Sequence, residues 1–66
     1  MSHALITPRQ RECLSLAQGG MTTCQIAYLL GLSEHTVSSY FSDVYRRLGV
    51  RNRTHAVVEA ARLGVI

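Results

Sequence analysis

Two apolar helical patterns meet at a tight corner between Thr22 and Leu48, and this stretch most constrains what the chain can fold into. The first pattern predicts a helix over about residues 23–30, and the second predicts a helix over about residues 34–48. Along the second, apolar residues recur at steps of three and one, which mark one face of a 3.6-residue period. These residues are Val37, Tyr40, Phe41, Val44, Tyr45 and Leu48.

The corner itself has the residue types of a helix-turn-helix. Gly31 can adopt the left-handed conformation that ends a helix, and Ser33 can cap the next helix by accepting from a backbone N–H. Ala27 is small enough for a crossing helix to approach, and Val37 can fill the angle between the two helices. In this motif the second helix lies in the DNA major groove, so the spacing predicts a groove-reading helix over about residues 34–48.

Helix signals also flank the corner on both sides. Thr7 and Pro8 begin a helix that ends at Gly19-Gly20, and Gln10 completes its capping box. Asn52 can cap a last helix over about residues 53–63, whereas residues 1–6 form a lead-in without a clear pattern. Since no stretch alternates with period two, we expect an all-α, four-helix bundle-like domain spanning residues 1–66. Its predicted buried residues are Leu14, Ile26, Ala27, Leu30, Val37, Phe41, Val44 and Leu48.

Basic residues concentrate around the end of the long helix. The chain has a formal charge of +3, all seven basic residues are arginine, and four of these lie within eight residues, namely Arg46, Arg47, Arg51 and Arg53. This cluster indicates an anionic partner such as nucleic acid. A solvated helix end is the alternative, because basic side chains suit a helix C-terminus. On DNA the four arginines would neutralise phosphates.

Other functional classes have little support in the sequence. Cys13 and Cys24 form no C-x-x-C motif and the histidines stand at no metal-ligand spacing, so we expect no metal and no cofactor. Both cysteines are expected in helices as small reduced hydrophobes. No nucleophile, base and orienting group converge and the domain is too small for a deep cleft, which argues against an enzyme and a small-molecule site. The absence of a long apolar run predicts no membrane span and a cytoplasmic location.

Four segments of the chain resemble the LuxR/GerE-type bacterial DNA-binding domain. They are residues 7–12, 25–27, 31–37 and 45–54, and with their order and spacing the match covers about residues 5–66. The resemblance implies a four-helix transcriptional regulator whose second and third helices form the helix-turn-helix. It also implies binding as a homodimer to a two-fold promoter site on double-stranded DNA. Members usually carry an N-terminal sensor or phosphoacceptor domain, so this chain is expected to be either an excised domain or a free-standing regulator.

The resemblance further implies roles for individual residues. Base edges would be contacted by Ser38, Ser39 and Ser42. In the binding mode that follows from these roles, the third helix also presents Glu34 to the groove. The phosphate backbone would be contacted by Thr22, Ser33, Thr36, Tyr40, Arg47 and Thr54. Tyr40 also lies on the apolar face, so its ring can be buried with the hydroxyl at the edge, or the hydroxyl can reach a phosphate.

The fourth helix has two interpretations. It can be an ordinary packed terminal helix, or its exposed side can form the dimer contact that the resemblance implies. Val58 is the clearest apolar residue that the core does not require. The residues assigned to the contact are Val57, Val58, Ala61 and Arg62. One short helix per partner makes a small interface, so we expect a weak free homodimer that DNA strengthens.

Two positions depart from the family pattern, since Ser38 stands where a basic residue is usual and Tyr40 where histidine is usual. We therefore expect modest DNA affinity with a large non-specific share. One alternative is a sigma-factor region 4 module, which shares the T-P-x-x-R-E start but does not require a fourth helix. The other alternative is a partner that does not bind DNA and instead pairs through the fourth helix with a longer regulator and blocks it.

Overall fold

The computed structural model describes residues 6–66, which form four helices in succession. These are α1 (Pro8–Gln18), α2 (Thr23–Leu30), α3 (Glu34–Leu48) and α4 (Arg53–Arg62). Residues 1–5, most of the predicted lead-in, lie outside the described part of the chain, and no strand occurs in residues 6–66. The all-α prediction is confirmed, and only the end of α4 differs, since it comes at Arg62 rather than at residue 63.

Short-range capping hydrogen bonds determine where the helices begin. Each N-cap side chain accepts from a backbone N–H in the first turn, and the N-cap residues are Thr7, Thr22, Ser33 and Asn52. At α1 and α2 the bonds are reciprocal, because the side chains of Gln10 and Gln25 accept from the N–H of the cap residue. Both predicted capping boxes are thus present.

The corner between α2 and α3 requires its glycine. Gly31 has φ +69°, a left-handed conformation that a residue with a Cβ rarely adopts. The chain reverses there while the Leu32 N–H donates to the Ala27 carbonyl at 2.9 Å, which closes the end of α2. Val37 is completely buried at the start of α3, so the predicted apolar plug is in place.

The core lies where the four helices meet, with α3 in contact with each of the other three. Its largest fully buried side chains are Leu14, Ile26, Val37, Val44 and Cys13. Ile6 is also buried, although no sequence pattern predicted it. No helix in residues 6–66 has the length and apolarity needed to cross a membrane.

Two predictions about burial are wrong. Leu30 and Leu48 are only partly buried and pack at the edge of the core. Leu30 and Leu48 share the helical spacing of the core residues, but each is the last residue of its helix and so lies at the end of the packed stretch. Both cysteines lie in helices as free thiols, as expected, with Cys13 buried in α1 and Cys24 exposed on α2.

Candidate nucleic-acid interface

Helix α3 has one face in the core and an opposite face in solvent. Val37, Phe41 and Val44 are buried. All four residues predicted to face DNA bases are exposed, and they are Glu34, Ser38, Ser39 and Ser42. Positions 34, 38 and 42 follow one another at four-residue spacing, so they lie along one side of the helix. The predicted base-facing residues therefore share a polar, solvent-exposed surface on α3.

Hydroxyl groups lie at the N-termini of α2 and α3. Thr22 Oγ1 accepts from the Gln25 N–H at 3.1 Å, and Ser33 Oγ accepts from the Thr36 N–H at 3.0 Å. Ser33 Oγ also donates to Thr36 Oγ1 at 2.9 Å. A hydroxyl both donates and accepts, so Thr22 and Thr36 can keep these bonds and donate to an external oxygen. Together with the helix N-termini, which favour anions, this chemistry suits phosphate oxygens.

Near the C-terminus of α3, Asp43 forms ion pairs with two of the predicted phosphate-binding arginines. Its Oδ1 accepts from Arg46 Nη2 at 2.6 Å, and its Oδ2 accepts from Arg47 Nε at 2.9 Å. The pKa of Asp43 lies below its ordinary value because the Gln10 side chain donates to the carboxylate and the charges of Arg47 and Arg46 favour ionisation, against some desolvation. The carboxylate is therefore ionised at neutral pH, and it offsets part of the basic charge here.

Gln10 connects this ion-pair cluster to α1, a link that the sequence did not predict. The residue is only 4% exposed, and its Nε2 donates to Asp43 Oδ2 at 2.6 Å while its Oε1 accepts from the Thr7 N–H at 3.0 Å. A signal was present, because position 10 shares a helix face with Cys13 and Leu14. A polar side chain on a covered face needs a hydrogen-bond partner, but only the fold shows which one.

The remaining arginines flank the connection between α3 and α4. Arg51 is exposed, whereas the guanidinium carbon of Arg53 lies 5.4 Å from the centroid of the Phe41 ring. Arg53 is half-buried in this cation–π contact. Thr54 is exposed in the first turn of α4.

Tyr40 lies between the exposed and buried faces of α3. It is half-buried and packs against the hydrophobic core, which agrees with its position on the apolar face. Its neighbour Ser39 is exposed. The ring is thus partly covered, as one of the two interpretations of this residue requires.

Helix α4 buries Ala56 and Ala60 and carries the predicted dimer residues elsewhere on its surface. Val58 is 58% exposed, Ala61 and Arg62 are exposed, and Val57 is half-buried against the core. Arg62 pairs with Glu59 through an Nε–Oε1 hydrogen bond of 3.1 Å and a second bond from Nη2. Leu63, the C-cap residue of α4, is exposed as well.

Residues 4–60 match the model of the family described as bacterial regulatory proteins, luxR family. The chain belongs to the luxR family. The domain is accordingly a helix-turn-helix DNA-binding domain of transcriptional regulators, a family that is not enzymatic. The family match also decides against a sigma-factor region 4 module.

The sequences of individual luxR-family relatives align with nearly the whole chain. The chain is 43% identical over 63 residues to the spore germination protein GerE of Bacillus subtilis (strain 168), covering 96% of this chain and 85% of GerE. It is 40% identical over 63 residues to the quorum sensing-dependent transcriptional regulator VjbR of Brucella ovis, covering 96% of this chain but 24% of VjbR. The chain thus spans most of GerE and about a quarter of VjbR.

Two solved structures contain the same fold. The transcription factor GerE superposes with a TM-score of 0.90 at 37% identity, over 94% of this chain and 92% of that chain. The response regulator ChrA of a heme-sensing two-component system superposes with a TM-score of 0.90 at 34% identity, over 92% of this chain and 30% of ChrA. The four-helix arrangement is therefore found both in a short protein and within a longer one.

Proposed function

We propose that this luxR-family domain binds specific two-fold sites on duplex DNA as a homodimer, with α3 in the major groove. The observation that carries the proposal is the exposed polar face of α3, which lies opposite the core and leads to a basic end. In this orientation the base edges are contacted by Glu34, Ser38, Ser39 and Ser42. A helix of this width fits the major groove, where each base pair presents a distinct pattern of donors and acceptors.

Phosphate contacts supply register and most of the affinity. They come from hydroxyls at the starts of the helices, from the Tyr40 hydroxyl, and from the basic residues between the last turn of α3 and the first turn of α4. These residues are Thr22, Ser33, Thr36, Tyr40, Arg46, Arg47, Arg51, Arg53 and Thr54. Contacts to the backbone carry no direct sequence information. Serine bonds to any base edge, so each of the three serines discriminates weakly and the domain binds with a large non-specific share.

The homodimer forms through α4, where each copy offers the same residues to its partner. These residues are Val57, Val58, Ala61 and Arg62. A two-fold contact of this kind is self-complementary and matches the symmetry of a two-fold DNA site. With one short helix per partner the buried area is small, so the dimer forms chiefly on DNA. Binding to the bacterial chromosome places the domain in the cytoplasm.

Selection from a randomised duplex pool, followed by sedimentation of the best complex, tests this function. We expect a two-fold symmetric site that holds two protein copies. Ser42→Ala should change the preferred bases more than the overall affinity, and Ser15→Ala, at an exposed serine on α1, should change neither.

Two outcomes of this experiment would contradict the proposal. One protein copy per full site at saturation would rule out the homodimer. Absence of binding to any duplex at low salt would favour the alternative in which the domain pairs with a longer regulator and blocks it.

A further inference from the structure

The carboxylate of Asp43 accepts hydrogen bonds from both arginines in the last turn of α3. Asp43 uses a different oxygen for each, Oδ1 for Arg46 and Oδ2 for Arg47. Such three- and four-residue pairs on a helix surface are usually weak, partly because both side chains must be ordered. Here the carboxylate is already held from α1, since the buried Gln10 donates to it at 2.6 Å. Only the two guanidinium groups need to be ordered.

Negative and positive side chains lie side by side at the end of α3, where phosphates are proposed to bind. Arg46 and Arg47 carry two positive charges and Asp43 carries one negative charge, so the turn contributes a net charge of about +1. A phosphate that binds either arginine must compete with the carboxylate for it. The competition is the same on every DNA sequence, because a phosphate contact is independent of sequence.

We propose that Asp43 is a positioning residue that restrains Arg46 and Arg47 and thereby limits sequence-independent binding to DNA phosphates. The inference rests on the proposed DNA-binding function and adds a residue that sets the strength of its non-specific part. Gln10 takes part by fixing the carboxylate relative to the core. The low pKa of Asp43 agrees with this role, since the carboxylate stays charged at neutral pH.

The test compares wild type with Asp43→Asn on one mixed-sequence duplex of about 30 base pairs, by fluorescence anisotropy over a salt series. Asparagine keeps the shape and, with its amide oxygen at the Oδ2 position, can still accept from Gln10 and Arg47, but it loses the charge and the acceptor for Arg46. One extra phosphate contact steepens the salt slope by about 0.9, so we expect Asp43→Asn to bind about five- to tenfold more tightly at 0.1 M salt. Glu12→Gln is the matched control, because it removes the same charge from the exposed Arg9–Glu12 pair on α1. It should change affinity less than about twofold.

A second background shows whether Asp43 acts through the arginines. In the Arg46→Ala, Arg47→Ala double variant, adding Asp43→Asn should leave affinity nearly unchanged. An equal gain in both backgrounds would overturn the proposal, because Asp43 would then only repel DNA at a distance. Weaker binding together with a lower melting temperature in Asp43→Asn would also overturn it, in favour of a purely structural role.

A readout without DNA separates this inference from the proposed function. Exchange of the Arg47 Nε–H with solvent, followed by NMR in the free domain, should be faster in Asp43→Asn than in wild type, because a neutral amide oxygen binds a guanidinium more weakly than a carboxylate does. If wild type binds duplex DNA and Asp43→Asn changes neither exchange nor affinity, the inference alone is wrong. If wild type binds no duplex at low salt, the proposed function and the inference both fail.

Discussion

Replacing Val37 by aspartate should unfold the domain at neutral pH. The valine is 0% exposed at the corner between α2 and α3, so its loss removes about 2 kcal/mol of apolar burial. A buried aspartate must be protonated, which at pH 7 costs about 4 kcal/mol from an ordinary pKa near 3.9. The sum of about 6 kcal/mol is comparable with the whole stability of a domain of this size, about 3–10 kcal/mol.

Circular dichroism during a thermal melt measures the effect, with Val58→Asp as the matched control. Val58 is 58% exposed on α4, so the same substitution there should preserve the helical signal and melt close to wild type. Lowering the pH to about 4 reduces the cost of protonation below about 1 kcal/mol and should restore part of the helix in Val37→Asp. A Val37→Asp variant with the wild-type spectrum and melting curve at pH 7 would refute the assignment of Val37 to the core.

Three further predictions concern the charges of α3. Arg47→Ala should weaken binding about equally on all sequences and flatten the salt slope by roughly one unit in anisotropy titrations; a changed sequence preference with an unchanged slope would contradict the assignment to phosphate. Ser38→Lys should tighten binding to generic duplex by about 1 kcal/mol and steepen its salt dependence, whereas identical curves would mean that position 38 does not reach DNA. The low pKa of Asp43, caused first by Gln10, should add stability that is present above the unfolded pKa and lost as pH falls through the lower folded pKa. An NMR titration of Asp43 with an ordinary midpoint would exclude this contribution.

The helix boundaries were predictable because the interactions that set them are local. A capping residue and its partner are three positions apart, as Thr22 and Gln25 are, so their bond forms within a single turn. Gly31 ends α2 because a residue without a Cβ adopts the left-handed backbone conformation readily. The exposed position of Ser38 follows from the same kind of argument, since a 3.6-residue period that buries Val37 turns the next residue away.

The sequence by itself thus determined the four helices, the corner between α2 and α3, and the polar face of α3. The tertiary structure alone decided contacts between residues far apart in the chain. Gln10 and Asp43 are 33 positions apart and meet because α1 packs against α3. The packing of α4 likewise brings Arg53 over Phe41. Helical periodicity identifies which residues share a face, but the angles and positions at which helices cross determine which face is covered and which polar groups meet there.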